Sequence, residues 1–376
     1  MHGSESAPAH LRCLRMASLA LCALLYATVL LATLEVCARV DDHVSFGAPL
    51  LGDYSFDELK GVNGRGRPGA RFEKWRINNL GFRGRDLSRV KPAGHFRVIV
   101  LGASESFGLY ESPEMEYPAQ LERMLSLQLR DPVEVVNAAS AGMSLPRVIE
   151  FCARDLQELQ PDIVVYYPTP VDYLDDIAPR LPPPPIADAT RSDHPNLRIV
   201  RRSRNVLKSV LPDALQSWLR QREIAASTSR EADSWVFHAV PAERLTLFET
   251  HLRVLIQCAR AVRVPLVLAT HANRFAPPLN TREWRLLVAW RRFYPRASED
   301  ALLEMESLAN RFIRSIGREP YTMVADLAAA VPPDPRNFQD FSHFTDRGAM
   351  LAAAELSGVM LELVDASVGV RHGGRQ

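Results

Sequence analysis

From Ala17 to Val36 the chain is apolar almost without interruption, and Glu35 is the only charge in the run. About 20 such residues are enough to cross a hydrocarbon core of ~30 Å as a helix. Arg12 and Arg15 precede the run, and Asp41 and Asp42 follow Arg39 on its far side. The positive-inside rule therefore puts residues 1–15 in the cytoplasm, a transmembrane signal anchor at 16–37, and the remainder in the periplasm or cell exterior. A cleaved signal peptide fits less well, because the run is long for that role and no A-x-A site follows it. A lipoprotein signal at Leu34-Glu35-Val36-Cys37 fails because the residue before the cysteine is not small. Residues 38–95 read as a loop-rich juxtamembrane segment, with Gly and Arg clustered between Gly61 and Arg71 and no long periodic element.

The pattern changes at Phe96. Short apolar, β-branched runs at 96–101, 133–137, 162–167, 265–270 and 323–327 predict buried strands. Between and after them, apolar residues recur at helical spacing over 117–129, 145–159, 243–262, 300–317 and 346–364. Strands alternating with helices predict an α/β fold, a three-layer α/β/α sandwich around a parallel sheet, over 96–364. One stretch breaks the rhythm, an irregular insertion at about 178–240. Its prolines from Pro182 to Pro185 suit neither a helix nor a strand interior, and from Arg191 to Arg222 eight basic residues face two acidic ones. Residues 365–376 form a tail.

Composition narrows the classes. The 376 residues include 45 Lys+Arg and 44 Asp+Glu, and 47% are hydrophobic, which excludes a disordered or fibrous chain and a multi-span membrane protein. A net charge of +1 lacks the basic footprint of a nucleic-acid binder. Five cysteines form no C-x-x-C pair and no metal spacing. Cys13, Cys22 and Cys37 belong to the anchor; Cys152 and Cys258 are open to two readings, a disulfide in an oxidising compartment or two buried thiols.

Candidate chemistry gathers at two places. The strand ending at Leu101 runs into Gly102-Ala103-Ser104-Glu105-Ser106-Phe107-Gly108, and ligands of open α/β sheets collect at the carboxyl ends of strands. Alone, Ser104 reads equally as a turn or cap serine. Near the end of the chain stands Asp340-Phe341-Ser342-His343-Phe344-Thr345-Asp346-Arg347-Gly348. A serine hydroxyl needs a base within hydrogen-bond reach, and a carboxylate on the other ring nitrogen orients that base, so Asp340 and His343 on one loop supply both.

With these motifs the chain resembles the SGNH (GDSL-type) hydrolases, specifically the membrane-anchored bacterial group. Asn78-Asn79-Leu80-Gly81-Phe82-Arg83-Gly84 is similar to that group's lead-in, Gly102-Ala103-Ser104 with Gly108 to block I, Val136 to Gly142 to block II, and Asp340-x-x-His343 with Thr345 and Gly348 to block V. The likeness covers roughly 78–172 and 320–362. It implies Ser104 as nucleophile, His343 as base, Asp340 as its orienting partner, and the Ser104 and Gly142 amides as oxyanion donors. It also implies a serine ester hydrolase working through an acyl-enzyme, without metal or organic cofactor. The implied partners are an O-acyl group on an envelope or exported polysaccharide, or a lipid ester. An O-acyltransferase and a catalytically silent binding component on the same fold are the alternatives. One departure stands out. Block III ends in Gly-x-Asn-Asp in the family, and here Thr169-Pro170-Val171-Asp172 has no amide where the family has an oxyanion donor. Asn137, Asn273 and Thr169 are the candidates to replace it. Asp172 reads as a cap or loop carboxylate, and His271 and Asn273 either line the cleft or sit at the surface.

Overall fold

The computed structural model describes residues 9–373 apart from 53, 63, 175–196, 204–214, 216–217, 219–221, 223–234, 292 and 318. The Pro182–Pro185 run, His194 and most of the Arg-rich insertion lie outside the described residues. The chain divides into two compact units, Met1–Phe56 with Ile186–Leu211 and Asp57–Pro185 with Pro212–Gln376.

The first unit is built on one long helix, α1 (Ala9–Phe46). Over Met16–Phe46 it is long and apolar enough to cross a membrane, with a mean hydropathy of 2.2 in its most apolar stretch and none of that stretch buried. Toward its carboxyl end the Glu35 carboxylate binds Arg39 (2.6 Å) and accepts the Ile199 amide (2.9 Å). The helix continues past the predicted end at residue 37 because a short helix at 198–203 packs on it through charge. Asp42 is buried and takes Arg201 at 3.1 Å and Arg202 at 2.6 Å, with Arg198 at 3.5 Å.

In the second unit, a two-residue hairpin, β1 (Arg71–Phe72) and β2 (Trp75–Arg76), precedes the sheet. The sheet is β3 (Phe96–Gly102), β4 (Val133–Asn137), β5 (Ile163–Tyr167), β6 (Leu266–Ala269) and β7 (Thr322–Ala325), all parallel, in the order β4-β3-β5-β6-β7. Side chains of a strand alternate between faces. Ile99, Leu101, Val164, Tyr166, Leu266 and Leu268 therefore enter one core, while Val98, Val100, Val165, Tyr167 and Val267 enter the other. Helices α4 (Leu145–Leu159), α5 (Ala242–Ala261) and α7 (Glu299–Ile316) cover the first face; α3 (Tyr117–Gln128) and α8 (Asp346–Gly373) cover the second. Two-sided burial is why the strands read as unbroken apolar runs. Helix α6 (Thr281–Arg291) was not legible in the sequence, and α8 runs into the tail expected from residue 365.

A disulfide joins Cys152 of α4 to Cys258 of α5, across 106 residues. It closes a long loop around the insertion, a cross-link whose value lies chiefly in constraining the unfolded chain.

Candidate active site

Strand β3 ends at Gly102, where only a glycine fits: an added Cβ would lie 2.3 Å from Ser106 Oγ. The chain then enters a four-residue helix, α2 (Ser104–Phe107), which leaves Ser104 half-buried at the carboxyl edge of the sheet. The lead-in loop braces this turn. Asn78 Oδ1 accepts the Leu80 and Phe82 amides (both 2.9 Å), which closes the turn and sends Phe82 into the core. Arg83 next to it is buried, donates to the carbonyls of Phe107 and Gly108, and pairs with Glu116 at 2.9 Å. Its own amide bonds the Asn137 carbonyl (3.1 Å), so one residue ties the end of β4 to the serine turn.

The second loop is shaped by block V. Asp340 Oδ1 accepts the Ser342 amide (3.0 Å) and the His343 amide (2.9 Å), and its carboxylate oxygens lie 3.0 and 2.9 Å from His343 Nδ1. This carboxylate defines the loop and orients the ring together. Thr345 Oγ1 donates to Arg336 O (2.6 Å) and accepts the Gly348 amide (3.2 Å). At Gly348 a Cβ would come within 2.0 Å of Asn337 O, which is why the motif has glycine there. His343 Nε2 is buried and has no hydrogen-bond partner among the described residues. Tyr110, 51% exposed, sets its ring edge-on to the imidazole with centroids 5.2 Å apart.

The two loops meet at a residue that no motif singles out. Glu105 is buried; Ser104 Oγ donates to its Oε2 (3.2 Å) and Ser342 Oγ to its Oε1 (2.9 Å). The Ser104 hydroxyl thus points to Glu105, while Asp340 and His343 are directly paired. His271 is buried as well, not a surface group: its Nδ1 is 2.5 Å from Glu306 Oε2 and its Nε2 3.8 Å from Glu105 Oε1. Glu306 also accepts from the Tyr173 hydroxyl and from Asn273 Nδ2 (3.1 Å). Asn310 Oδ1 accepts the His271 amide (2.7 Å) and its Nδ2 donates to His271 O (2.9 Å). The available sequence signal was Glu306 and Asn310, one turn apart on the apolar stripe of α7 with no visible partner.

The electrostatics follow from this packing. Burial alone would raise the Glu105 carboxyl, but His271 and His343 reverse the sign and hold it at about 2. Burial would lower His271, and Glu306 and Glu105 overcome it, lifting the imidazole to about 10. His343 is likewise lifted above the usual histidine value, against burial, by Asp340, Glu105 and Glu111. Glu111 is a buried carboxyl pushed up to about 7 by desolvation. Among the described residues no group of three His, Cys, Asp or Glu side chains is arranged to hold a metal ion.

The remaining expectations fall out as follows. Gly142 sits exposed with φ +74° on the loop after β4. Asn137 Nδ2 gives one N–H to Ser106 O (2.9 Å), Asn273 Nδ2 gives one to Glu306, and Thr169 is buried just after β5. Val171 opens a four-residue helix, Val171–Leu174. Asp172, in the first turn of that helix, accepts the Leu145 amide (2.6 Å), the Thr169 amide (3.0 Å) and the Tyr166 hydroxyl (2.5 Å).

No protein-family profile and no curated protein matches the sequence. Among solved structures the chain is similar to a lipase/acylhydrolase from Enterococcus faecalis, at 13% identity, with 70% of this chain and 95% of that chain covered and a TM-score of 0.39. It is similar to Axe2, an acetylxylan esterase from Geobacillus stearothermophilus, at 12% identity, 72% and 94% coverage and a TM-score of 0.41. A family 3 carbohydrate esterase from Clostridium thermocellum gives 11% identity, 72% and 98% coverage and a TM-score of 0.39.

Proposed function

We propose that the chain is an SGNH-type serine ester hydrolase. The observation that carries the reading is the Asp340–His343 pair, whose buried second ring nitrogen is unpartnered and whose loop is joined to the Ser104 turn through one carboxylate. A rotation about Ser104 χ1, from one staggered well to another, releases Oγ from Glu105 toward His343. The hydroxyl oxygen then attacks an ester carbonyl while His343 Nε2 takes its proton. Asp340 holds the tautomer and steadies the imidazolium. The Ser104 and Gly142 amides receive the oxyanion, the alkoxide leaves with the proton from His343, and water releases the acyl group from Ser104 by the same steps in reverse.

The substrate is an O-acyl group on an exported or envelope polysaccharide. Two exposed aromatic rings support this: Tyr110 against His343, and Phe293, 66% exposed, against Phe341. Such rings present flat apolar faces, which suit the C–H faces of sugar rings, and the Tyr110 hydroxyl adds a polar edge. The first unit anchors the enzyme through residues 16–37 with the N-terminus cytoplasmic. The Cys152–Cys258 disulfide supports an oxidising location for the catalytic unit. A silent binding component is the second reading, favoured by Val171 and by the resting Ser104–Glu105 bond.

The test is a fluorophosphonate serine probe on the full chain in detergent. Wild type is expected to label, and Ser104→Ala and His343→Ala are expected to lose the label. A wild type that neither labels nor turns over an aryl acetate, though folded, overturns the hydrolase in favour of the silent component.

A further inference from the structure

The proposed chemistry leaves a buried charged cluster unused. Glu105, His271 and Glu306 stand in line beneath the serine turn, contributed by α2, the end of β6 and α7. Each is buried, and a buried charge is tolerated only where partners compensate it. Those partners are present around Glu306, which Tyr173 and Asn273 satisfy, and around the His271 backbone, which Asn310 holds from both sides. At the other end the line terminates on two hydroxyls, Ser104 beside Glu105 in the chain and Ser342, 237 residues on from Glu105.

We propose that Glu105 is a positioning residue: backed by His271 and Glu306, its carboxylate clamps the serine loop to the histidine loop and sets the resting orientation of Ser104. The inference rests on the reading of Ser104 as nucleophile and His343 as base. A cheaper way to hold a serine would be a backbone carbonyl. A carboxylate with a fixed imidazole behind it does more, because it bonds both loops at once and places a negative charge beside His343. The charged and titratable groups facing His343 are Asp340 on its own loop, Glu105 from α2, and Tyr110 and Glu111 from the segment after α2. Glu105 therefore adds to the stabilisation of the His343 imidazolium, in the ground state and when the proton arrives from Ser104.

The sign follows directly. The base must be neutral, so kcat/KM should rise with pH through a midpoint above 6.5, since His343 is raised from that value. Glu105→Gln keeps the size of the side chain and removes the charge; it is expected to move that midpoint down and to lower kcat by on the order of 10- to 10²-fold with KM little changed. Glu105→Asp keeps the charge but shortens the reach; it should leave the midpoint close to wild type while kcat falls. Ser342→Ala removes the clamp from the other loop while keeping the Glu105 charge, so it stands in if Glu105→Gln fails to fold: kcat should fall with the midpoint unmoved. A titration of the His343 imidazole by NMR on ¹⁵N-histidine protein, without substrate, reads the same shift independently of turnover.

Absence of fluorophosphonate labelling in wild type sinks the hydrolase reading, and the positioning role with it. Labelling at Ser104, together with a Glu105→Gln variant whose His343 midpoint and kcat both match wild type, sinks the clamp alone. A folded Ser342→Ala variant with wild-type kcat overturns it likewise.

Discussion

Val171 shows how one side chain limits a site. Removing one oxyanion donor costs on the order of 10²–10³ in turnover. Of the two asparagine amides weighed as substitutes, Asn137 gives an N–H to Ser106 O and Asn273 gives one to Glu306. In the proposed mechanism the oxyanion rests on the Ser104 and Gly142 backbone amides. Val171→Asn is expected to raise the turnover of an aryl acetate, by up to ~10²-fold if the new amide reaches the oxygen. Pro170 constrains the preceding backbone and holds the gain below that ceiling. Equal turnover of the two proteins would mean that another donor fills the position. At this scale Ser104, Asp340 and His343 stood out in the sequence because the motifs place a serine after a strand and an Asp–His pair before a helix. Glu105, adjacent to Ser104, did not, because its importance lies in contacts with Ser342 and His271, which are remote in the chain.

Among the elements, the lead-in loop matters most. Its Asn78, Phe82 and Arg83 are all buried, and Arg83 is the link between the serine turn and Glu116 at the entry to α3. Removing one partner of a buried pair leaves an uncompensated charge, a loss of about 3–5 kcal/mol. Arg83→Met is expected to destabilise the protein by that amount in a denaturant titration, and Arg83→Met with Glu116→Leu to recover much of it. If the single variant unfolds at the wild-type midpoint, the link carries no weight. The strands and longer helices were legible because two-sided burial and helical stripes write themselves into short windows of sequence. Helix α6 was not: exposed Trp284 and the basic residues between Thr281 and Arg291 blur its stripe, and its buried side, Leu287 to Trp290, is selected by packing.

For the whole molecule the prediction concerns sidedness. A reporter fused after residue 376 is expected to be active only outside the cytoplasm, since Arg12 and Arg15 before the apolar run favour a cytoplasmic N-terminus under the positive-inside rule. A reporter active in the cytoplasm would overturn both the topology and the location of the proposed chemistry.

The amino-acid sequence by itself determined the apolar N-terminal run, the order of strands and long helices, and the motif residues, since each depends on neighbours a few positions away. Only the tertiary structure decided which side chains meet. It joined Cys152 to Cys258, turned the expected surface histidine, His271, into a buried partner of Glu105 and Glu306, and set the Ser104 hydroxyl on Glu105. It also showed α1 continuing to Phe46, with Asp42 buried among arginines from around residue 200. The physical reason is the same in each case. A buried charge and a disulfide each need a partner, and partners supplied by distant segments leave no local pattern to read.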